Sequence, residues 1–600
     1  MNKNSASSST QPPRRERRRQ ISGLKVQVRR GISILLKLIK SGYQSLPLSY
    51  RTKARHRNLI AKVFPRVLLV SGSAASAFPG QAAYAPRFAV RPCRPVNDER
   101  VSRGLIDISV SQNPQVSVII PVYGQMAYTL HCLASIAANP PAAAFEVIVV
   151  DDGSKDETAA VLKNVKGIRI ISQAENLGFI KSCNRGAAEA RGDYLHFLNN
   201  DTEVTTGWLD ELLRTFSEFP GTGLAGSRLI YPDGRLQEAG GIIWRDGTAG
   251  NFGRMQDPLL PVFNYAREVD YCSGASIMVS KSLFAEAGGF DEYYLPAYAE
   301  DADLALKIRD KGYRVIYQPL STIIHYEGGT AGTSTASGVK AHQIDNLKKL
   351  RERWKSRLAT HQPAGENVDD AKDRRATRRA LVIDLCTPTP DQDAASIIVF
   401  NMMLLLREMN FQVTFIPEDN FLNMPPYTQA LQRAGIETLY APYFTTVRQH
   451  LKESGNRYDL ALLIRPAVVE RYAADVRKFS PGVKILFHTI DLHFLRMERE
   501  AGLQSDSTKQ KEALEMKARE LAAMRAADST IVVSHAEEDL LSREAPDVCV
   551  RVFPLILNAE GTVVPYGERK DIIFVGGYQH HPNIDAVRYF VSDIMPLLRK

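Results

Sequence analysis

From Val116 onward, short runs rich in Val and Ile alternate with segments whose apolar residues recur at helical spacing. VSVIIPV, FEVIVV, IRIIS and YLHFL have the length of buried strands, and most are followed by about 10 to 15 residues typical of a helix. Strands of nearly continuous Val and Ile that alternate with helices are typical of a mostly parallel sheet with helices on both faces. The alternation therefore predicts an α/β fold for this part of the chain.

The same alternation resumes after a polar, charged stretch, HQPAGENVDDAKDRRATRR. It begins again at ALVIDLCTPTP and continues through FQVTFIPED, YDLALLIRP, VKILFHTIDLHF and STIVVSHAEED. A chain of 600 residues is too long for one hydrophobic core. We therefore interpret the polar stretch as a linker between two α/β units.

The segment Asp571–Lys600 again has the pattern of a strand, a glycine turn and a helix. A lone βα unit cannot bury both faces of its strand, so the segment either packs on the preceding unit or begins a further half that is cut short. We favour the second interpretation. The predicted segments are an arm (1–60), an extension (61–113), a first domain (114–355), a linker (356–379), the first half of a second unit (380–565) and the start of its second half (570–600).

Positive charge is concentrated in the arm. Residues 1–60 contain fifteen Lys or Arg and one acid, so they contribute +14 to a net charge of +10, and the other 540 residues sum to −4. Ile32, Leu35, Leu36 and Ile39 recur at helical spacing beside lysines, and a basic amphipathic helix can bind an anionic membrane surface. A solvated, disordered tail has the same composition, and both interpretations stay open. Without a binding motif or interleaved aromatic residues, nucleic acid is not an expected partner.

The sequence also limits the compartment. No run approaches the roughly 18 apolar residues that a membrane-spanning helix needs. The six cysteines are scattered without a CxxC pair, which argues against a disulfide framework or a structural zinc and fits a reducing cytosol. We expect a cytoplasmic protein, located at the inner face of the cytoplasmic membrane if the arm binds lipid.

Acidic residues follow two strands of the first predicted sheet. DDGS at 151–154 comes after VIVV, and NND at 199–201 comes after LHFL. Ligands of open parallel sheets bind at the carboxyl ends of the strands, and an unpaired charge inside a core would be costly. Both motifs therefore indicate a binding site. Two structural alternatives remain, because Ser154 and Glu157 match a capping box and NND is also a turn sequence.

Two further elements have the same double interpretation. EDAD at 300–303 begins an amphipathic helix, where the helix dipole favours acids by about 0.3 to 1 kcal/mol, which explains one or two of them without a function. His325 ends a β-branched strand before a glycine-rich loop. A lone histidine there is usually structural, but beside a carboxylate site it is a candidate metal ligand.

The order of these elements resembles that of the family 2 glycosyltransferases, which have the GT-A fold. The resemblance extends from Val116 to about Trp354 and includes PVYG, ENLGFIKSCNRGAAEARGDY, GWLDELL, CSGASIMVSKSLFAEAGGFDE and EDADL. One departure concerns the metal-binding DXD motif, in which Asn199 takes the first position and only Asp201 remains acidic. Nucleotide-rhamnose transferases of the family often have this NND form.

The resemblance implies an inverting, metal-dependent glycosyltransferase that moves a sugar from a nucleotide-diphospho-sugar to a glycan or lipid-linked acceptor. The setting it implies is the assembly of bacterial surface polysaccharide or O-antigen. It implies that Asp301, flanked by Glu300, is the general base, and that Asp201 and His325 hold Mg²⁺ or Mn²⁺. The implied nucleotide-sugar-binding residues are Pro121, Tyr123, Asp151, Asp152, Asn200, Asp201 and Gly274.

The second α/β run resembles the family 4 glycosyltransferases of the GT-B fold. Stretches 462–501 and 520–541 correspond to the acceptor-side half, and 574–590 corresponds to the opening of the donor-side half. Gly576 and Gly577 would begin a phosphate-facing loop, although a tight βα turn explains them equally well. The glutamate motif of the donor-side half does not occur before Lys600, so this unit as given is not expected to transfer sugar.

Two other functions compete with that of a transferase. A Rossmann oxidoreductase needs G-x-G-x-x-G after its first strand, where this chain has PVYGQM, so that class is disfavoured. A catalytically weak or inactive transferase-like scaffold at the membrane remains the alternative, because of the NND departure and the incomplete second unit.

Overall fold

The structure is a computed structural model that describes residues 103, 105–327, 342–419, 421–504, 506–556, 561–578 and 581–598. The predicted arm, most of the predicted extension and the glycine-rich loop after His325 lie outside the described residues. Within the described ranges, no helix is both long and apolar enough to cross a bilayer.

The first α/β unit, residues 105–358, is built on a ten-stranded sheet, and β8 with β9 forms a separate two-stranded ribbon. Its strands are β1 (Val116–Val122), β2 (Phe145–Asp151), β3 (Ile168–Ser172), β4 (Tyr194–Leu198), β5 (Thr202–Val204), β6 (Thr222–Ile230), β7 (Leu236–Glu238), β8 (Gly241–Ile243), β9 (Ala249–Asn251), β10 (Arg267–Glu268), β11 (Ser276–Ser280) and β12 (Arg314–His325). Its helices are α1 (Met126–Ala138), α2 (Thr158–Leu162), α3 (Phe179–Glu189), α4 (Trp208–Glu218), α5 (Lys281–Glu286), α6 (Glu300–Asp310), α7 (His342–Arg353) and α8 (Lys355–Leu358).

The strand order of this sheet is β10-β12-β6-β11-β4-β1-β2-β3, with β5 paired to β12 and β7 paired to β6. The pairs β1–β2, β1–β4, β2–β3 and β6–β12 are parallel. β11 lies antiparallel between β4 and β6. The short strands β5 and β10 pair antiparallel with β12, and β7 pairs antiparallel with β6. The predicted mostly parallel α/β sheet is therefore confirmed for its long strands, with the antiparallel β11 near its centre.

Hydrophobic cores cover both faces of the first sheet. Along β1, Ile119 packs into the core that contains α3 and α6, whereas Val118 and Ile120 pack into the core that contains α1 and α4. A strand that is buried on both faces needs the unbroken apolar sequence of VSVIIPV.

The loop after β2 does not contain the capping box that Ser154 and Glu157 suggested. Helix α2 begins only at Thr158, and Ser154 does not cap it. The Ser154 hydroxyl instead accepts a hydrogen bond from the backbone N–H of Gly124, at 2.8 Å. The capping-box alternative for DDGS is therefore wrong, because this serine ties the loop after β2 to the loop after β1.

The second α/β unit, residues 378–556, has a seven-stranded parallel sheet of order β15-β14-β13-β16-β17-β18-β19. Its strands are β13 (Arg378–Asp384), β14 (Phe411–Pro417), β15 (Ile436–Thr438), β16 (Leu460–Ile464), β17 (Lys484–His488), β18 (Ser529–Val532) and β19 (Val550–Val552). Helices α9 to α18 are Val368–Lys372, Ala394–Glu408, Tyr427–Arg433, Val447–Ser454, Pro466–Phe479, His493–Gln504, Ser507–Ala526, His535–Glu544, His581–Tyr589 and Met595–Leu598, with a π-helix at Phe590–Ile594.

The five strands expected in this unit are present, and the three-residue strands β15 and β19 join them. The strand expected just after Asp571 is not formed, because residues 571–577 pair with no strand in the described part of the chain. Ile572, Ile573 and Val575 are largely exposed there. The described residues thus establish one parallel sheet in this unit and not a second one.

The predicted linker is packed rather than free. It contains α9, and its Lys372 and Asp373 are buried as an ion pair. The Asp373 carboxylate also pairs with Arg379, at 3.1 Å, and the Lys372 carbonyl accepts from Arg267 of the first unit, at 2.9 Å. Lys372 and Asp373 of this charged stretch are thus paired at the junction between the two units.

Candidate active site

Asp151 and Asp152 end β2 but have different surroundings. The Asp151 carboxylate accepts a hydrogen bond from the Ser154 backbone, at 3.1 Å, within its own turn. The Asp152 carboxylate accepts from the backbone of Leu177 and Gly178, at 2.8 and 2.9 Å, and so holds the loop that leads into α3. Of the two predicted nucleotide ligands, only Asp152 lines the central cavity described below.

The NND motif follows β4 and turns the chain into β5. The Asn199 carbonyl accepts from the Thr202 hydroxyl, at 2.6 Å, and the Asn200 amide donates to Thr129 of α1, at 3.0 Å. These two asparagines therefore hold the turn, although both also line the cavity. Asp201 is the acid that the turn presents, and it is 2% exposed.

Asp201 meets His325 at the end of β12. Their closest atoms, Asp201 Oδ1 and His325 Nε2, are 3.2 Å apart, although 123 residues separate them in sequence. Pairing of β5 with β12 sets His325 opposite Thr202, and the Tyr326 backbone N–H donates to the Asp201 carbonyl, at 2.9 Å. The two predicted metal ligands are thus brought together by backbone pairing.

The pair supplies one carboxylate oxygen and one imidazole nitrogen, a donor set that fits a divalent cation such as Mn²⁺. Among the described residues, no group of three or more His, Cys, Asp or Glu is placed to hold a metal ion. A cation bound here would need its remaining ligands from outside the protein. Mg²⁺ sites that use one or two protein ligands plus substrate phosphates have this character.

Glu300 and Asp301 occupy the first turn of α6, as predicted. The Asp301 carboxylate accepts from the Gly274 backbone, at 3.0 Å, and from the Ala302 backbone, at 2.7 Å. Burial raises the pKa of the Asp301 carboxyl. Burial first, and the charge of Asp301 second, raise the pKa of Glu300, and Glu300 Oε2 has no hydrogen-bond partner among the described residues.

Asp303, the third acid of EDAD, has a structural role. It is fully buried and accepts from the Trp354 indole, at 2.8 Å, while Lys307 lies 2.9 Å from its carboxylate. Asp303 therefore needs no function to explain it, and it does not line the cavity. Glu300 and Asp301 do line the cavity, and the helix dipole alone does not explain that position.

The predicted site residues surround one cavity of about 530 Å³, within the usual range of ligand pockets. Every predicted residue except Asp151 lines it, namely Pro121, Tyr123, Asp152, Asn200, Asp201, Gly274, Glu300, Asp301 and His325. They come from the carboxyl ends of β1, β2, β4 and β12, from the loop before β11 and from the start of α6. One end of the sheet therefore gathers residues that span more than 200 positions of the sequence.

Sequence reasoning missed two residues of this site. Gln237 lines the cavity and contacts His325 Nδ1 through its side-chain oxygen, at 3.1 Å. Glu238 lies behind the cavity wall, where its carboxylate accepts from the Ser273 backbone, at 2.9 Å. Both belong to β7, a three-residue strand that is too short to have a recognisable period, so no sequence signal marked them.

Glu238 and Asp301 are held by consecutive backbone N–H groups, those of Ser273 and Gly274. Glu238 is completely buried, and no side chain or backbone group in the described part of the chain forms a hydrogen bond with its Oε2. Burial, opposed by the Ser273 hydrogen bond, raises the pKa of Glu238 to about 8. Burial therefore favours the neutral form of Glu238, next to the Asp301 carboxyl that lines the cavity.

Comparison with known proteins identifies part of the chain. The model of "Glycosyl transferase family 2" matches residues 117–287. The O-antigen biosynthesis protein RfbC of Myxococcus xanthus is 30% identical over 230 residues, which are 37% of this chain and 18% of that protein. The N-acetylglucosaminyl-diphospho-decaprenol L-rhamnosyltransferase of Mycobacterium tuberculosis is 27% identical over 251 residues, which are 37% of this chain and 80% of that enzyme.

Among solved structures, GalNAc-T7 with UDP, GalNAc and Mn²⁺ is 18% identical, with a TM-score of 0.32, over 41% of this chain and 48% of that one. This chain spans less than a fifth of the length of the M. xanthus protein. Asp301 and His325 lie beyond the matched segment, which contains Asp152, Asp201 and Gly274. The family 2 glycosyltransferase model thus matches residues 117–287, less than a third of this chain.

Proposed function

We propose that the chain transfers a sugar from a nucleotide-diphospho-sugar to the hydroxyl of a glycan or lipid-linked acceptor, with inversion at the anomeric carbon. The observation that supports this most is the convergence of Asp152, Asp201, His325 and Asp301 on one cavity. The cavity therefore combines a candidate base, a candidate cation-binding pair and an anchored loop in one space.

Asp301 is the proposed general base. The acceptor oxygen attacks C1 of the sugar, its proton passes to the Asp301 carboxylate, and the electron pair of the broken C1–O bond leaves with the nucleoside diphosphate. A raised pKa makes Asp301 a stronger base than an exposed aspartate. The Gly274 and Ala302 backbone N–H groups fix the orientation of its carboxylate before the acceptor arrives.

Asp201 and His325 are the residues that would hold a divalent cation. When bound, that cation would offset the negative charge that develops on the departing diphosphate. Pairing of β12 with β5 and the backbone hydrogen bond from Tyr326 fix the two side chains relative to each other. This preorganisation suits a site in which phosphate oxygens supply the remaining ligands.

The donor side of the cavity is assigned to the ends of β1 and β2. Pro121 and Tyr123 line this wall, and Tyr123 is 49% exposed, so its ring is free to pack against a nucleotide base. Asp152 is the candidate for contact with the ribose, although its oxygens already accept hydrogen bonds from the loop before α3. We propose that Asp152 orders this wall of the donor pocket and Asp151 acts only through the turn.

The names of the relatives suggest the biological setting. O-antigen biosynthesis and rhamnosyl transfer to a decaprenol-linked sugar are functions of those proteins, and we propose a role of the same kind in bacterial surface polysaccharide assembly. The proposed location is the cytoplasm, at the inner face of the membrane if the basic arm binds lipid.

A donor screen tests the proposal. Full-length protein is tested by thermal shift with a panel of nucleoside-diphospho-sugars, with and without Mn²⁺, and the donors that bind are tested for transfer to lipid-linked acceptors. We expect one nucleotide class to raise the melting temperature in the presence of Mn²⁺. Asp201→Ala should remove the Mn²⁺-dependent part of that shift.

Asp310→Asn is the matched control, because Asp310 is half-exposed at the opposite end of α6, where it pairs with Arg357. It should bind donor and metal like the wild type. If no nucleotide sugar shifts the melting temperature and Asp201→Ala behaves like the wild type, the transferase proposal fails and the inactive scaffold becomes the better account.

A further inference from the structure

A line of side-chain contacts leads from the candidate cation site to Glu327, which also lines the cavity. Asp201 Oδ1 lies 3.2 Å from His325 Nε2, and His325 Nδ1 lies 3.1 Å from Gln237 Oε1. The Gln237 amide nitrogen donates to Glu327 Oε2, at 3.3 Å. Gln237 thus bridges the candidate metal ligand His325 and the carboxylate of Glu327, two residues after His325 in sequence.

The Glu327 carboxylate fixes which way the Gln237 amide points. An ionised carboxylate can only accept hydrogen bonds, so the NH₂ group of Gln237 must face Glu327 and its oxygen must face His325. Tyr231 and Arg254 donate to the same Glu327 oxygen, at 2.7 and 3.0 Å, and hold it in place. The amide therefore presents an acceptor, and not a donor, to His325 Nδ1.

This orientation selects one tautomer of His325. An acceptor at Nδ1 requires the ring proton on Nδ1, so the neutral ring carries its lone pair on Nε2. This nitrogen lies 3.2 Å from a carboxylate oxygen of Asp201, which is also an acceptor. Asp201 Oδ1 and His325 Nε2 would then both be available as ligands of a divalent cation.

We propose that Gln237 is a positioning residue for the cation site: it holds His325 in the Nδ1–H tautomer and so directs the Nε2 lone pair toward the cation shared with Asp201. Hydrogen-bond acceptors behind a metal-bound histidine typically change metal affinity about 10- to 100-fold. The inference rests on the cation site of the proposed function, but it concerns affinity for the metal and not the transfer of sugar.

The test measures Mn²⁺ binding to the full chain by electron paramagnetic resonance of free Mn²⁺, without a sugar donor. Gln237→Met keeps the length of the side chain and removes the acceptor. It should weaken Mn²⁺ binding about 10- to 100-fold. The double variant Gln237→Glu/Glu327→Gln keeps one carboxylate and one amide in the pair and still offers an acceptor to Nδ1, so it should bind within about threefold of the wild type.

Gln318→Met is the matched control. Gln318 is also a fully buried glutamine, on β12 itself, and its amide donates to Thr215 rather than to the site. It should leave Mn²⁺ affinity unchanged even if it lowers the melting temperature. The melting temperature of every variant, measured alongside, separates a loss of folding from a loss of the acceptor.

Three results would overturn the inference. They are wild-type Mn²⁺ affinity in folded Gln237→Met, failure of the double variant to recover affinity while folded, and no Mn²⁺ binding by the wild type. Failure of the proposed function would give a different result. If the wild type and the variants show the expected order of Mn²⁺ affinities but no sugar is transferred, the role of Gln237 stands and only the proposed reaction is wrong.

Discussion

At the scale of single residues, the site depends on acids whose surroundings differ. Asp301 keeps two backbone hydrogen bonds and lines the cavity, whereas Glu238, held by the neighbouring N–H group, is completely buried. Asp303, two residues from Asp301, is committed to an ion pair. The sequence could identify the acidic cluster at the start of α6, but not this division of roles, which depends on contacts from β7 and α7.

The buried acid Glu238 should make the stability of the first unit depend on pH. Its pKa in the folded chain is about 8 and the usual value is 4.5, so the folded state keeps a proton that the unfolded state releases between these pH values. The contribution of Glu238 to the free energy of unfolding therefore falls as pH rises from 4.5 to about 8, by up to about 1.4 kcal/mol per pH unit.

Glu238→Gln imitates the protonated acid and should remove that loss. We expect its urea midpoint to exceed that of the wild type at pH 8 and to match it near pH 4.5. Tryptophan fluorescence is a suitable probe, since the chain's three tryptophans, Trp208, Trp244 and Trp354, lie in the first unit. Glu286→Gln, at an exposed position, keeps Glu238 and should match the wild type at both pH values. Equal midpoints for Glu238→Gln and wild type at pH 8 would contradict the account.

At the scale of elements, the long strands of both sheets could be predicted and the short ones could not. Runs such as FEVIVV and ALVID have enough Val and Ile to identify a buried strand, and β2 and β13 are formed by these runs. β5 and β7 have three residues each and exist because they pair with β12 and β6. The position of His325 beside Asp201 depends on β5, so the sequence could nominate both ligands but not their contact.

Helix α3 packs against β1 through a glycine. A Cβ at Gly186 would lie 2.5 Å from Ile119 Cγ2 and 3.1 Å from Val150 Cγ2. Gly186→Ala should therefore destabilise the first unit by about 1 to 3 kcal/mol, because the added methyl overpacks the core. The fluorescence-detected urea midpoint should fall by a corresponding amount.

Gly502→Ala is the control, since Gly502 lies in α14 and a Cβ there would meet nothing within 4 Å. It should leave the fluorescence-detected midpoint of the first unit unchanged. A Gly186→Ala midpoint equal to that of the wild type would mean that α3 and β1 lie farther apart than described.

At the scale of the whole molecule, the two α/β units are joined by a charged junction. Arg433 of α11 makes a bidentate pair with Glu211 of α4, at 2.7 and 2.8 Å, and both side chains are mostly buried. The sequence showed a polar linker with many charges, but the partners of those charges lie on other elements. Their pairing at the junction was therefore beyond sequence reasoning.

The pair between Arg433 and Glu211 should couple the stability of the two units. A double-mutant cycle with Arg433→Met and Glu211→Gln should give a coupling energy of about 1 to 2 kcal/mol in urea unfolding. A cycle on the exposed pair Arg525 and Asp547 should give no resolvable coupling. The same result for both cycles would argue against a tight junction.

The basic arm of residues 1–60 lies outside the described residues and stays a prediction. Deleting it should reduce binding to anionic liposomes at low salt, since each Lys or Arg near such a surface contributes about 1 kcal/mol. Added salt should weaken the binding of the full chain, because surface attraction is screened. Equal binding with and without the arm would favour the solvated tail.

The central claim is that Asp301 removes the proton from the acceptor hydroxyl. Its most direct test compares wild type, Asp301→Asn and Asp310→Asn in a single-turnover transfer assay, with donor binding measured separately by calorimetry. The account predicts that Asp301→Asn binds donor like the wild type but loses transfer by at least about 100-fold, as removal of a general base does, while Asp310→Asn retains both. Transfer by Asp301→Asn at the wild-type rate would contradict it.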